Sequence, residues 1–248
     1  MMSLPPFSQA ALLIDLDGTL LDIAPTPSSV IVPPDVPVVL RALRLLLQDA
    51  VAIVTGRPIE MIDALLGDLP FAVAGEHGGA IRHAPGAPVE RPMLPAPPVD
   101  WLTEAERLTA EHPGALLELK ERGFSLHYRA VPAASAALCD GLTAMLAKSD
   151  EFELLAGIMI WEVRPRGADK GTAVAALMER PPFHGRLPVF LGDDVTDEDG
   201  IRVAAEMGGA GLRVQDVFGD AAGVRAWLSE IAASRAWPVL SQRSVGGG

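Results

Sequence analysis

The chain is poor in positive charge. It has 20 Lys and Arg against 32 Asp and Glu, a formal net charge of −12. Such a balance repels nucleic acid and anionic membrane surfaces at long range, so neither is expected as a partner. An anionic substrate would need local compensation, from a metal or a few well-placed cations. There is one cysteine, Cys139. That excludes an internal disulfide and suits a reducing cytosol. No apolar run approaches the roughly 20 residues of a membrane-spanning helix. The opening "MMSLPPFSQA" lacks a basic segment and an uninterrupted apolar one. No secretory leader is therefore expected, and the location is read as cytoplasmic. The closing "SQRSVGGG" reads as a loose tail.

What is present is a globular composition, 49% hydrophobic and 21% charged over 248 residues. That length supports one large domain or two modest ones. Short apolar runs at Ala11–Ile14, Val51–Val54, Phe71–Ala74 and Pro188–Leu191 read as buried parallel strands. Helical patterns lie between them. "DVPVVLRALRLLLQDA" sets Leu40, Leu43 and Leu47 on one side, and "DKGTAVAALMER" opens with Asp169 as a candidate N-cap. Strands alternating with helices predict an α/β fold, a doubly wound parallel sheet. Ligands of such sheets bind at the carboxyl ends of the strands.

Between Ala84 and Asp100 the chain carries six prolines and reads as a linker. Beyond it come a helix over Trp101–His112, a hairpin turning near Glu121–Gly123, a helix over Ala133–Lys148 and a hairpin turning near Gly157. This α+β pattern differs from the flanking one. Residues 96–165 are therefore expected as a small domain inserted into a core made of residues 1–95 and 166–248.

The chemistry is concentrated at the strand ends. "DLDGT" places Asp15 and Asp17 just beyond an apolar strand, where a carboxylate is costly to desolvate without compensation. If the chain loops at Gly18, both carboxylates can share one pocket. A Mg²⁺ ion, which takes oxygen ligands, would then offset their repulsion. One acid could attack phosphorus while the other handles the leaving group's proton. Thr19 and the backbone N–H groups after Asp17 could hold phosphate oxygens. The plainer alternative is a strand ending in a capped turn. Thr55-Gly56-Arg57 offers a hydroxyl and a backbone N–H at a second strand end, or only a strand-to-helix turn. Lys170 begins a helix, where the dipole disfavours a cation unless an anion binds there; otherwise it is a solvated lysine. Asp193, Asp194, Asp197, Glu198 and Asp199 put five acids within seven residues after a buried strand. A solvated helix N-terminus explains Glu198 and Asp199 better than it explains Asp193 and Asp194.

"DLDGT", "TGR", "DKG" and "GDDVTD", in this order and each near a strand, resemble the haloacid dehalogenase superfamily of phosphatases. Within it, "DLDGTLLDIAP", "AIVTGRP", "AGEHGGAIR", "LELKERGFSLHYR", "WEVRPRGADKGTAV" and "LGDDVTDED" resemble the blocks of the trehalose-6-phosphate phosphatases. The resemblance spans most of the chain and makes the insert a cap domain. It implies Asp15 as the nucleophile that forms an aspartyl-phosphate. It implies Asp17 as the general acid/base, which also offers its backbone carbonyl to Mg²⁺. Asp193 would complete the metal site, with Asp194 or Asp197 as a further ligand or support. Thr55 and Lys170 would hold the phosphoryl group, and Arg57 would bind substrate. In the cap, Glu118, Lys120 and Glu162 would hydrogen-bond sugar hydroxyls; without the family they read as exposed strand charge. Glu76 and His77 would contact substrate or position the cap, and His77 reads equally as a structural residue. One departure is the absence of an aromatic near Gly200–Ile201.

The expected activity is a Mg²⁺-dependent phosphatase acting on trehalose 6-phosphate, a monomer in its simplest form. The rivals are a phosphatase of another sugar phosphate, such as sucrose phosphate or mannosyl-phosphoglycerate, and a non-catalytic sugar-phosphate sensor.

Overall fold

A purely apolar strand has two faces to hide, and in this chain both are hidden. The computed structural model describes residues 4–24, 29–120, 122–157 and 159–240. The expected tail "SQRSVGGG" lies outside them. The chain divides into two compact units, one of Met1–Pro92 with Asp169–Gly248 and one of Met93–Ala168. The first unit opens with β1 (Ala10–Ile14), α1 (Val36–Leu46), β2 (Val51–Val54), α2 (Ile59–Leu66), β3 (Ala72–Gly75) and β4 (Ala80–Arg82). The second holds α3 (Val99–Glu111), β5 (Leu116–Leu119), β6 (Phe124–His127), α4 (Ser135–Leu146), β7 (Phe152–Gly157) and β8 (Ile160–Pro165). The chain then returns to the first unit with α5 (Lys170–Met178), β9 (Leu187–Gly192), α6 (Glu198–Glu206), β10 (Ala210–Arg213), α7 (Val214–Val217) and α8 (Ala221–Ser234).

The first unit's sheet has the order β10-β9-β1-β2-β3-β4. It is parallel except for β4, which runs antiparallel to β3 at the edge. β1 lies between β2 and β9, and Ile14 is in register with both Ile53 and Leu191. All five β1 residues are buried, as a central strand covered on both faces requires. α1 packs with α8 and α5 with α6. The residues that follow β1, β2 and β9 therefore emerge side by side at the same end of the sheet, where the order reverses.

α1 forms where its apolar spacing predicts, and Leu40, Leu43 and Leu47 are all buried. It ends at Leu46, short of the expected span, because Gln48 and Asp49 turn left-handed with φ of +52° and +66°. The proline-rich linker is irregular, as six prolines dictate, but it is pinned to the core. Glu90 bridges Ile81, and its carboxylate takes both Nη atoms of Arg180 at 2.6 and 2.8 Å. Val99 and Asp100, expected in the linker, instead begin α3, because Pro98 sits just ahead of the helix, where its missing N–H costs nothing. No aromatic follows β9 near Gly200, and the reason is visible. A Cβ there would lie 2.7 Å from the buried Phe190 ring, which already fills the space.

In the second unit the sheet order is β5-β6-β8-β7, antiparallel throughout. Phe124, Leu126, Phe152 and Val163 pack with Trp101, Leu108, Leu138, Leu142 and Met145 of α3 and α4. The two hairpin turns fall where expected, but Glu121 and Ile158 within them lie outside the described residues. Among the described residues, no helix is long and apolar enough to cross a membrane.

α5 starts with a reciprocal cap. Asp169 Oδ1 accepts from Thr172 N at 2.8 Å, and Thr172 Oγ1 accepts from Asp169 N at 3.1 Å. Asp169→Ala should lower the unfolding free energy by about 0.5–2 kcal/mol in a urea titration, and Asp169→Asn by only a fraction of that.

Candidate active site

Asp15 follows β1 directly and is 3% exposed. Its N–H extends the ladder by donating to Leu191 O at 2.9 Å. Lys170, the first residue of α5, donates from Nζ to Asp15 Oδ1 and to Asp197 Oδ1, each at 2.7 Å. The lysine is thus neither solvated nor opposed by its helix alone, because two buried carboxylates hold it. The other oxygen of Asp197 accepts the N–H groups of Asp193 at 3.0 Å and Asp194 at 3.1 Å. Asp197 therefore spends both oxygens inside the protein, on the lysine and on the β9 loop. One oxygen of Asp194 is also engaged, since its Oδ1 accepts from Thr196 N at 2.8 Å and from Thr196 Oγ1 at 2.7 Å.

Asp193 is fixed at three points. Its N–H goes to Asp197, its carbonyl accepts from Gln215 Nε2 at 2.7 Å, and its Oδ1 accepts from Thr19 Oγ1 at 3.2 Å. Thr19, expected to face phosphate, faces Asp193 instead, and the Gly18 N–H is taken by Leu21 O at 2.8 Å. Gly18 has a φ of +82°, and a Cβ there would lie 2.2 Å from Asp193 Oδ2. Only glycine lets the two loops come this close.

One carboxylate oxygen each from Asp15, Asp193 and Asp197 lies within 4.8 Å of the others. Lys170 supplies one positive charge against three negative ones. Burial pushes the Asp15 carboxyl up to about 6, against the pull of Lys170. Burial, and then the Asp15 charge, pushes Asp197 up to about 7. Burial raises Asp193 as well, helped by Asp197 and Asp194. For Lys170 burial disfavours the charge, but the two carboxylates more than offset this and its pKa rises. A set of oxygen donors with surplus negative charge suits a hard divalent cation.

Asp17 is held otherwise. Arg57 grips its carboxylate with a fork, Nη2 to Oδ1 at 2.7 Å and Nε to Oδ2 at 2.5 Å. Arg57 itself follows Thr55, which is 1% exposed. The Thr55 hydroxyl accepts the Arg57 N–H at 3.3 Å, and its carbonyl accepts the His77 N–H at 3.0 Å. Glu76 and His77, after β3, both have positive φ, and the Glu76 carboxylate accepts from Arg91 Nη1 at 2.7 Å. Asp15, Asp17, Thr55, Arg57, Lys170 and Asp193 thus gather at one end of the core sheet, with Glu76 and His77 at the next strand end.

Glu118, Lys120 and Glu162 belong to the second unit. Glu118 Oε2 lies 2.6 Å from His127 Nε2, and Lys120 Nζ lies 2.7 Å from Glu162 Oε2. Glu118 on β5, Ser125 on β6 and Glu162 on β8 are direct cross-strand partners in one row. Sequence reasoning did not single out Gln215 or His127. Gln215 lies 22 residues beyond Asp193, and only the fold brings them together.

A parallel sheet whose central strand ends in a buried aspartate, faced by a buried lysine and further aspartates, defines a haloacid dehalogenase-like hydrolase. Residues 13–222 match the model of the trehalose-phosphatase family, and the chain belongs to that family. It is 38% identical over 200 residues to the trehalose-6-phosphate phosphatase of Escherichia coli strain K12, covering 81% of this chain and 75% of that one. It is 38% identical over 205 residues to a probable trehalose-phosphate phosphatase of Sinorhizobium fredii, covering 82% and 77%. Among solved structures, a trehalose-6-phosphate phosphatase of Aspergillus fumigatus superimposes with a TM-score of 0.67 at 26% identity, over 92% of this chain and 93% of that one. The sucrose-phosphatase of Synechocystis, at 16% identity and a TM-score of 0.55 over 95% and 93%, shares the fold.

The buried carboxyls have a consequence for stability. Asp15 and Asp197 hold protons more tightly in the folded chain, near 6 and 7, than at their ordinary value of 3.8. The stability they contribute is present below about pH 4 and lost as the pH rises through about 7. A divalent cation held beside these acids would favour their charged forms, so added cation should raise Tm more at about pH 8 than at about pH 5. Thermal unfolding of metal-stripped protein, with and without added cation, checks this.

Proposed function

We infer that this protein removes phosphate from trehalose 6-phosphate, and that it does so with Mg²⁺. The observation that carries the reading is the buried Lys170 shared by Asp15 and Asp197, with Asp193 beside them. Asp15 attacks phosphorus and becomes an aspartyl-phosphate as the bond to the sugar oxygen breaks. Asp17 gives a proton to that oxygen, and trehalose leaves. Asp17 then takes a proton from water, whose oxygen attacks the aspartyl-phosphate and frees phosphate and Asp15. Thr55 and Lys170 hold the phosphoryl oxygens, and Arg57 orients Asp17 and adds positive charge toward the phosphate. Asp15 and Asp193 would hold Mg²⁺ with their carboxylates and Asp17 with its backbone carbonyl. Asp197 stands behind the ligands, because both its oxygens are already engaged, and Asp194, whose Oδ1 is held by Thr196, supports the same loop. When bound, the ion neutralises charge on the phosphoryl group, the main requirement of phosphoryl transfer.

Residues 96–165 serve as the cap, in which Glu118, Lys120 and Glu162 read the disaccharide. Glu76 and His77 support substrate or cap. A cytoplasmic monomer is the simplest setting for a chain of this charge and cysteine content.

Four experiments test the reading. Phosphate release should be fastest on trehalose 6-phosphate in a panel that includes sucrose phosphate and mannosyl-phosphoglycerate; a preference for either of those would reassign the substrate. Asp15→Asn, nearly isosteric but a far poorer nucleophile, should lose roughly a thousandfold or more in kcat with an unchanged Tm. Retention of a tenth of wild-type turnover would remove Asp15 from the nucleophile role. Activity should vanish with EDTA and return with Mg²⁺, and Asp193→Ala should need far more Mg²⁺ or stay inactive. Replacing Glu118, Lys120 or Glu162 by Ala should cost about ten- to a hundredfold in kcat/KM on trehalose 6-phosphate relative to p-nitrophenyl phosphate, which has no sugar to read.

A further inference from the structure

The cap sheet holds a polar atom with nothing to do. Ser125 is 0% exposed, and among the described residues its Oγ has no hydrogen-bond partner. A buried hydroxyl without a partner is unfavourable, so its presence calls for an explanation. Its place in the sheet supplies one. Phe124 and Leu126, its neighbours on β6, turn to the helices and join the apolar core. Ser125, between them, takes the opposite face. On that face its direct cross-strand partners are Glu118 on β5 and Glu162 on β8.

The cover over Ser125 can be worked out from the strand order. Lys120 follows β5, and its N–H donates to Gly123 O at 3.0 Å. Glu162 lies on β8, and β6 runs between β5 and β8. The Lys120–Glu162 ion pair at 2.7 Å must therefore pass over β6. The β6 side of the sheet beneath it offers only Gly123 and Ser125, small enough to let the pair close. That pair is partly exposed, with side chains 36% and 20% accessible, so it is cheap to open.

We propose that Ser125 is a further sugar-binding residue: a polyol's hydroxyls part Lys120 from Glu162, each taking a hydrogen bond, and one of them gives the Ser125 hydroxyl its partner. The row Glu118–Ser125–Glu162 then reads adjacent hydroxyls of one ring with charged groups on the flanks and a neutral hydroxyl in the middle. The inference rests on the reading of the cap as the sugar-recognising unit. It adds a specificity determinant that the charged residues alone do not supply.

The experiment compares Ser125→Ala and Ser125→Cys with the wild type on trehalose 6-phosphate and p-nitrophenyl phosphate, with Tm of the ligand-free protein measured alongside. Both variants remove a good hydrogen-bonding hydroxyl at little change in volume. The ratio of kcat/KM on the sugar phosphate to that on p-nitrophenyl phosphate should fall roughly three- to tenfold, the weight of one neutral hydrogen bond. Tm should hold or rise, because the free protein loses an unpartnered hydroxyl. A ratio within twofold of wild type for both variants would show that the hydroxyl takes no part in sugar binding. A lowered Tm with equal losses on both substrates would make Ser125 a structural residue and would equally overturn the proposal. The substrate reading is judged separately, on the wild type. If another sugar phosphate is preferred, that reading fails alone and the same ratio is taken on the preferred substrate. If no sugar phosphate is turned over, both fail.

Discussion

Lys170 is the residue on which the core's working end depends. Its ammonium sits 2.7 Å from Asp15 and from Asp197, two acids that arrive from different strands. All three are buried. Without the cation, two carboxylates would face each other in a poorly solvated space, a cost that ordinary folding stability does not absorb. Without the carboxylates, a lysine at the first position of a helix would be both desolvated and opposed by the dipole. Each component is unfavourable alone and becomes tolerable only in combination.

The combination organises what surrounds it. Asp197 uses its second oxygen to hold the N–H groups of Asp193 and Asp194. The lysine's position therefore propagates into the loop that carries Asp193. Thr19 and Gln215 then fix that residue's carboxylate and carbonyl. The acid cluster is set before any ligand arrives, and pre-set charges are what stabilise a transferring phosphoryl group most effectively. The pair Arg57–Asp17 is a separate device. It ties the loop after β2 to the loop after β1.

The second unit follows a different logic. Its sheet buries one face under α3 and α4 and keeps charge on the other. Those charges pair with each other across strands: Glu118 with His127, and Lys120 with Glu162. Surface pairs of this sort contribute little to stability, so opening them costs little. The core instead commits its charges to a buried network. This chain thus carries a buried ionic centre in one unit and a charged sheet face in the other.

Much of this was legible in the residues alone. Unbroken apolar runs at Ala11–Ile14 and Val51–Val54 could only be central parallel strands, because nothing in them suits solvent. The helical spacing of Leu40, Leu43 and Leu47 and the cap at Asp169 are local signals, and local forces decide them. Asp15, Thr55, Lys170 and Asp193 stand at element boundaries, but position alone left each open to a plainer reading, and it was the family resemblance that implied their roles. The short β4 and β10 gave no such signal, because "AIR" and "AGLR" carry no unbroken apolar run, and they exist through pairing with β3 and β9. Sequence could not say that Thr19 serves Asp193, that Arg57 serves Asp17, or that Asp197 is spent on Lys170 and a loop. Nor could it show that Ser125 lies under an ion pair between strands on either side of it. Those facts depend on which strand lies beside which, and strand order is settled by packing across the whole chain. Periodicity and propensity act over a few residues and determined the elements; contacts between residues far apart in sequence, such as Thr19 and Asp193 at a separation of 174, decided which side chains meet, and so what each acid is for.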